Sequence, residues 1–193
     1  VLKVQKDGKY GLINFSGKEI IPTDYEEITA ISGVKNSYKI KKDGKYGIVN
    51  NEGNIVVEPK YADIDTLGKD NKSGFIVKDE TGKYGLIDYS NNQVLEIKYD
   101  GIEKVFGNNL YVVTVDGKQK VVNKENTDVL TSNFDSIKQI LSSQENAVIY
   151  VKSNKYGVMN LSGEVLIDAQ YEDLKETKVG TFIAKKADKY GII

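Results

Sequence analysis

Apolar and polar residues alternate in short runs along the chain, and the alternation recurs about every 36 residues. The centre of each Lys-Tyr-Gly triplet marks its phase. The marker positions are Tyr10, Tyr46, Tyr84, Gln119, Tyr156 and Tyr190, which are separated by 36, 38, 35, 37 and 34 residues. No stretch of ten or more residues shows the apolar stripe of a helix. The pattern therefore predicts an all-β array of tandem units.

Further apolar positions recur at fixed offsets from each marker. A second aromatic follows fifteen residues later, at Tyr25, Tyr61, Tyr99, Phe134 and Tyr171. An aliphatic pair lies ten and eleven residues after the marker, and another aliphatic lies three residues after the second aromatic. An aromatic that recurs at one phase of a packed unit is usually part of the core. We expect both sets of aromatics to be core residues, with a ladder of sugar-stacking tyrosines as the alternative interpretation.

Residues typical of tight turns separate these apolar positions. Two residues before the markers stand Gly8, Gly44, Gly82, Gly117, Asn154 and Asp188, three of them preceded by Asp. Asp-Gly between alternating runs favours a two-residue hairpin with positive φ at both positions. Four residues after the markers stand Asn14, Asn50, Asp88, Asn123 and Asn160, each followed three residues later by Gly or Asn. This second pattern predicts a type I turn that ends on a left-handed residue.

Each unit is thus expected to contain four short strands, which for the second unit cover residues 38–42, 45–50, 54–58 and 61–66. The predicted units are 1–35, 36–72, 73–108, 109–145 and 146–178, followed by a partial unit, 179–193. The strands carry apolar groups on both faces, so each hairpin meander must pack between neighbours. Five periods plus a surplus favour an open, stacked superhelix of antiparallel meanders. A closed five- or six-bladed β-propeller is the alternative.

Composition excludes several classes of function. The 193 residues include 27 Lys plus Arg and 28 Asp plus Glu, a net charge of −1 that favours neither nucleic acid nor an anionic membrane as a partner. Without His or Cys, the commonest general base and the commonest soft metal ligands are missing. No apolar run approaches the ~20 residues of a membrane span. We therefore expect no enzyme, no cofactor, no catalytic or metal site and no membrane insertion.

The unit "DGKYGLIN…SGKEIIP…YEEI", beginning at Asp7, resembles the bacterial WG-repeat (KWG-repeat) family. That family carries Gly-Lys-Trp-Gly, aliphatics, a polar turn, an aliphatic pair and a second aromatic. The likeness covers nearly the whole chain, but there is no Trp, and Tyr replaces it at five of six places while Gln119 stands at the other. The resemblance implies a β-rich tandem array of exported, surface or multidomain bacterial proteins that mediates interactions. It implies no catalytic residues.

Charged residues also follow the repeat. A Lys precedes every marker, and acids follow the second aromatic in each full unit. A basic stripe aimed at phosphates is one interpretation. We favour pairing between the two rows, which contributes only about 0–1 kcal/mol per exposed pair.

The leading hypothesis for function is a non-enzymatic scaffold for protein–protein interaction. The expected setting is secreted or on the bacterial surface, and since the chain starts at Val1 an export signal would not be visible in it. The ligand-binding residues are unknown, and the loops that differ between units are the expected site. These include 31–37, 67–74 and the replacement of Tyr-Gly by Gln119–Lys120. The alternatives are a module that binds carbohydrate or cell envelope, and a spacer or regulatory array attached to another domain.

Overall fold

We describe the protein from a computed structural model, which describes residues 1–66, 74–106, 109–130, 132–140 and 146–193. The variable segment 67–74 lies outside the described residues except for Gly74. The chain divides into two compact units, Val1–Tyr99 and Asp100–Ile193.

The first unit contains three antiparallel sheets, each a meander in chain order. Their strands are β1 (Leu2–Lys6), β2 (Lys9–Ile13) and β3 (Glu19–Tyr25); β4 (Glu27–Ala30), β5 (Ser37–Lys42), β6 (Lys45–Asn50) and β7 (Ile55–Tyr61); and β8 (Asp63–Asp65), β9 (Phe75–Lys78), β10 (Tyr84–Ile87) and β11 (Gln93–Tyr99).

The second unit also contains three antiparallel meanders. Their strands are β12 (Gly101–Phe106), β13 (Leu110–Val115) and β14 (Lys118–Asn123); β15 (Ser136–Gln139), β16 (Ala147–Lys152), β17 (Lys155–Asn160) and β18 (Val165–Tyr171); and β19 (Asp173–Glu176), β20 (Phe182–Lys186) and β21 (Lys189–Ile192). Among the described residues there is no helix, and each sheet is open with two edge strands. The all-β fold class of tandem antiparallel meanders is confirmed.

The strand after the second aromatic differs from the prediction. It was expected to close the meander of its own unit, but β8 pairs with β9 in the following sheet. The backbone N–H of Ala62, directly after Tyr61, already donates to Lys78 O at 2.8 Å. The chain therefore passes from one sheet to the next within a single residue. The unit boundaries drawn from the sequence stay predictions.

Both kinds of turn follow the prediction. Asp43 and Gly44 at the β5–β6 hairpin have φ of 52° and 75°, as a two-residue hairpin with positive φ requires. In the turn between β6 and β7, the Asn50 Oδ1 accepts hydrogen bonds from the N–H groups of Glu52 and Asn54. That turn ends on Gly53 with φ of 90°. Turn residues and their spacing thus set the strand boundaries.

The Gly after the marker allows the next strand to approach closely. A Cβ on Gly47 would lie 2.5 Å from Val57 O, and the β6–β7 register shifts between Tyr46 and Ile48. A Cβ on Gly11 or Gly157 would lie 2.6 or 2.5 Å from the equivalent carbonyl oxygen, and a Cβ on Gly85 would lie 2.6 Å from the Ile97 side chain and 3.0 Å from Leu95 O. The bulge in each ladder thus depends on a residue without Cβ.

Lys120 stands at this position in the fourth repeat, and the ladder there is reduced to isolated bridges. Beside β14 only two isolated bridges remain in the described part of the sheet, Gln119 with Phe134 and Val122 with Asp128. The Lys120 side chain pairs with Asp128 of the neighbouring segment. The predicted break at Gln119–Lys120 is thus visible in the backbone.

The core of each unit lies between consecutive sheets. One cluster joins the second and third sheets of the first unit through Ile48, Val57, Ile64 and Val77. In the second unit, a cluster around Phe134, Val148 and Tyr150 includes Val112 and Val121 of β13 and β14. Aliphatics of consecutive sheets within a unit thus bury one another, as their spacing predicts.

Candidate functional site

Each marker lies directly opposite the second aromatic, fifteen residues later, on the adjacent antiparallel strand. Tyr10 faces Tyr25, Tyr46 faces Tyr61, Tyr84 faces Tyr99, Gln119 faces Phe134 and Tyr156 faces Tyr171. The second aromatics are buried in the first four pairs and half-buried at Tyr171. The marker tyrosines are half-buried, apart from the exposed Tyr190. The prediction that both sets of aromatics belong to the core is confirmed for the second aromatics. The marker tyrosines lie at the border of the core.

Lysine side chains cover the rings of the half-buried markers. The Lys3 Nζ lies 4.0 Å from the Tyr10 ring centroid, and the Lys39 Nζ lies 4.3 Å from that of Tyr46. Lys78 and Lys138 stand over Tyr84 and Tyr156 at 5.1 and 5.0 Å. These distances are typical of cation–π contacts. At these markers an ammonium group occupies a ring face on which a sugar would stack.

At least two of the predicted pairs between a Lys and an acid are seen in the part of the chain that the structure describes. Lys118 pairs with Asp135, and the Lys155 Nζ lies 3.8 Å from Glu172 Oε1. The hydrogen bond from Lys118, supported by backbone N–H groups, lowers the pKa of the Asp135 carboxyl. Lys45 instead pairs with Glu80 in the hairpin of the third sheet. The two charged rows are therefore partly paired with each other.

These acids have a second role that the sequence analysis missed. The Glu26 Oε1 accepts a hydrogen bond from Gly44 N–H in the next hairpin turn, at 3.2 Å. Asp100, Asp135 and Glu172 accept equivalent bonds from Asp116, Asn154 and Ala187. The acid after the second aromatic thus caps the following hairpin.

The second unit has Ala62 directly after its second aromatic, where the other units have the capping acid. The hairpin that follows is capped instead by a residue of its own turn. The next hairpin has a longer turn, in which Asp79 Oδ1 accepts from Thr81 Oγ1, Thr81 N–H and Lys83 N–H at 2.7 to 2.9 Å. An acid from the preceding sheet is not needed there. In the sequence, the one unit that lacks the acid, at Ala62, is followed by the hairpin with the longer turn. That correlation is the signal that could have revealed the capping role of the acids.

A surface pocket of about 380 Å³ lies in the first unit, between its second and third sheets. Its lining residues come from the loop between β4 and β5, from β5, β7 and β9, and from the turn after β10. They are Gly33, Val34, Lys35, Ser37, Val56, Phe75 and Tyr89. Four of these residues belong to the variable segment 31–37, where the sequence predicted a binding loop.

An aromatic pair that the other repeats lack forms one wall of the pocket. The Phe75 and Tyr89 rings meet edge to face, with centroids 5.0 Å apart and planes at 89°. Phe75 is buried and Tyr89 is 38% exposed. Burial raises the pKa of the Tyr89 phenol, opposed by a hydrogen bond with the Gly74 backbone. The Tyr89 side chain is therefore held both by the Phe75 ring and through its own hydroxyl.

Backbone hydrogen bonds position the opposite wall. The Val34 N–H donates to Ile31 O at 3.2 Å, and the Asn51 N–H donates to Asn36 O at 2.9 Å. Positive φ at Gly33 and Asn36 turns the loop back on itself. Val34 thus packs against the core while Lys35 is exposed at the mouth. The site offers an apolar surface with one ammonium group at its edge.

Two other kinds of site are not seen in the described residues. No group of three or more acidic side chains there is arranged to hold a metal ion. No helix in the same residues has the length and apolar character to cross a membrane.

The solved structures with similar folds include β-propeller domains. A eukaryotic initiation factor shares 11% identity at a TM-score of 0.49, with 98% of this chain and 58% of that chain covered. The WD40 domain of Neurospora crassa Pan2 shares 11% identity at 0.38, over 99% and 73%. The WD40 β-propeller domain of Doa1 shares 10% at 0.38, over 97% and 71%. No curated protein matches the sequence.

The family comparison rests on the repeat itself. The model of the WG containing repeat matches residues 10–46, 46–76, 84–118 and 156–190, which together are more than half of the chain. The unmatched stretch after residue 118 begins at Gln119–Lys120, where the β-ladder is also broken. The chain belongs to the WG containing repeat family.

Proposed function

We propose that this chain is a non-catalytic scaffold that binds a protein partner through the pocket between the second and third sheets, in a secreted or cell-surface setting. The observation that carries the proposal is that the pocket combines a variable loop with an aromatic pair that occurs in one complete repeat alone. Val34 lies in the variable segment 31–37, and although aromatics stand at the Phe75 position in Tyr38 and Tyr111 and at the Tyr89 position in Phe15, no other complete repeat carries both. On repeat scaffolds, function concentrates where the period is broken.

The chemistry of the pocket favours a peptide side chain over a sugar. Valine and aromatic surfaces dominate the lining, and its polar side-chain groups are those of Lys35 and Ser37 and the Tyr89 hydroxyl, which is already bonded to the Gly74 backbone. A sugar ring needs hydrogen-bonding groups around its edge, which such a wall does not supply. A bulky apolar side chain fits the wall, and an acidic neighbour in the partner complements the exposed Lys35. The expected occupant is therefore an apolar residue next to Asp or Glu in a partner protein.

Site-specific photo-crosslinking tests this function. A photoreactive phenylalanine derivative replaces Val34 in one variant and Val179, which is 82% exposed in the second unit, in the control. Surface and secreted proteins of the source organism are then added. We expect one defined protein adduct at position 34 and none at position 179, and Lys35→Glu should reduce its yield because an acidic partner is then repelled.

Adducts of equal yield at both positions, or no adduct at position 34, would contradict the proposal. Circular dichroism of the Lys35→Glu variant controls for folding. Because Lys35 is an exposed loop residue, the substitution is expected to leave the spectrum unchanged. Retention of the chain on purified wall polysaccharide, lost on Tyr190→Ala, would support the carbohydrate alternative instead.

A further inference from the structure

The loop between β4 and β5 carries backbone donors that have no acceptor within the described residues. The Lys35 and Asn36 N–H groups make no hydrogen bond there, although the Asn36 carbonyl accepts the Asn51 N–H at 2.9 Å. The N–H before them is used, because Val34 donates to Ile31 O at 3.2 Å. The unused donors therefore begin at the residue that follows Val34 in the pocket wall.

Ser37 adds a third unused N–H group. Lys42 and Lys45 flank the two-residue β5–β6 turn and form a bonded pair, and bonded and non-bonded pairs alternate along an antiparallel ladder. Counted from that turn, Ser37 and Asn50 are a non-bonded pair, so the Ser37 N–H points away from β6. On its other side, β5 pairs with β4 only as far as Tyr38. Three consecutive N–H groups are thus unpaired in the described part of the chain.

The backbone conformation brings these donors together. Asn36 has a φ of 61° and stands between two residues of negative φ. Successive N–H groups around such a change in the sign of φ form a concave nest that binds anions. Lys35 and Ser37, on either side of Asn36, both line the pocket. The nest therefore lies at the mouth of the pocket.

The positive charge at this mouth is not neutralised by the protein. The Lys35 side chain is exposed and forms no ion pair with any residue that the structure describes. Two acids lie on segments that contact the loop, and both are bound elsewhere. Glu52 Oε2 accepts from Asn54 Nδ2, and Asp65 Oδ1 accepts from the Thr66 N–H. An ammonium group and three peptide N–H groups thus stand beside an apolar wall.

We propose that the N–H groups of Lys35, Asn36 and Ser37, together with the Lys35 ammonium group, form a carboxylate site that holds an Asp or Glu side chain of the partner. The inference rests on the proposed function, because the apolar residue next to this acid occupies the pocket wall. The nest begins one residue after Val34, about 3.8 Å along the backbone, so an apolar residue and its acidic neighbour reach both. Because the backbone donors are fixed, the site prefers a carboxylate over an amide even without the Lys35 charge.

Amide NMR of the whole isotope-labelled chain tests the site with a probe that needs no partner. The probe is hydrocinnamate, which joins an aromatic ring to a carboxylate, and the matched control is its neutral amide, hydrocinnamamide. We expect the probe to shift the amide protons of Lys35, Asn36 and Ser37 downfield in a saturable way. The neutral amide should bind at least about tenfold more weakly, because it lacks the charge that strengthens these hydrogen bonds.

Three variants separate the backbone donors from the side chain. Asn36→Gly permits the positive φ and should keep the binding, whereas Asn36→Val disfavours that conformation and should weaken binding about tenfold. Lys35→Met removes the ammonium group but no N–H group. It should weaken probe binding by at most about fivefold, and the acid should still bind more tightly than its amide. Thermal unfolding of each variant controls for loss of the fold.

Equal binding of the acid and its amide would overturn the proposal, as would equal binding to the Asn36→Gly and Asn36→Val variants or shifts confined to residues outside the loop. The photo-crosslinking experiment is scored separately. A protein adduct at position 34 in a chain that does not prefer the acid over the amide would reject the carboxylate site and leave the proposed function standing. Selective binding of hydrocinnamate without any adduct would support the carboxylate site and reject the proposed function.

Discussion

Tyr46 and Tyr61 lie directly opposite each other on the β6–β7 ladder but differ in their environments. Tyr61 is 8% exposed within the core between the sheets, whereas Tyr46 is half-buried with the Lys39 ammonium 4.3 Å from its ring centroid. The repeat pattern treats both as core aromatics. The structure assigns one to the core and the other to its border.

This difference predicts unequal stability effects. Tyr61→Ala should lower the free energy of unfolding by about 3–5 kcal/mol, as removal of a buried aromatic does. Tyr46→Ala should lower it by about 1–3 kcal/mol, because part of its ring is already in water and the other loss is that of the cation–π contacts with Lys39 and Lys41. Urea unfolding followed by circular dichroism measures both. Lys45→Ala is the control and should cost at most about 1 kcal/mol; equal losses for the two tyrosines would contradict the assignment.

Gln119 replaces a marker Tyr and is buried, with 8% of its surface exposed. Its Oε1 accepts a hydrogen bond from the Ile137 N–H at 2.7 Å. Gln119→Ala leaves that buried N–H without its acceptor, so we expect a loss of about 1–3 kcal/mol in unfolding free energy. Gln139→Ala, on the half-buried β15, is the matched control and should cost less. A Gln119→Ala variant as stable as the parent would show that water replaces the amide.

Asp79 makes the β9–β10 turn sensitive to acid. Hydrogen bonds from the Thr81 hydroxyl and from the Lys83 N–H lower the pKa of its carboxyl below the ordinary value. Because the folded pKa is the lower one, the stabilisation is complete above about pH 4, the ordinary Asp value, and is lost as pH falls through the folded pKa. Amide exchange at Thr81 and Lys83, corrected for intrinsic rates, should therefore accelerate on acidification in that window.

The turn at Asn50 is the internal control for this acid dependence. It makes the same bonds to Glu52 and Asn54 with an amide that does not titrate. Its amide exchange should show no such dependence, and Asp79→Asn should make the two turns behave alike. Persistence of the acid dependence in Asp79→Asn would assign it to another group.

The sequence by itself determined the features that depend on neighbours along the chain. Positive φ at Asp43 and Gly44, the Asn50 turn and the close approach at Gly47 follow from local backbone sterics and short-range hydrogen bonds, which repeat whenever the residues repeat.

The tertiary structure decided what depends on residues far apart in sequence. It placed β8 in the following sheet, and it buried Tyr61 while leaving Tyr46 half-exposed. It also placed after Ala62 a hairpin whose turn is capped by its own Asp79. It also brought Val34, Val56, Phe75 and Tyr89 together into one pocket. A periodic pattern shows which positions are equivalent, but burial and charge at each copy depend on the sheet packed against it.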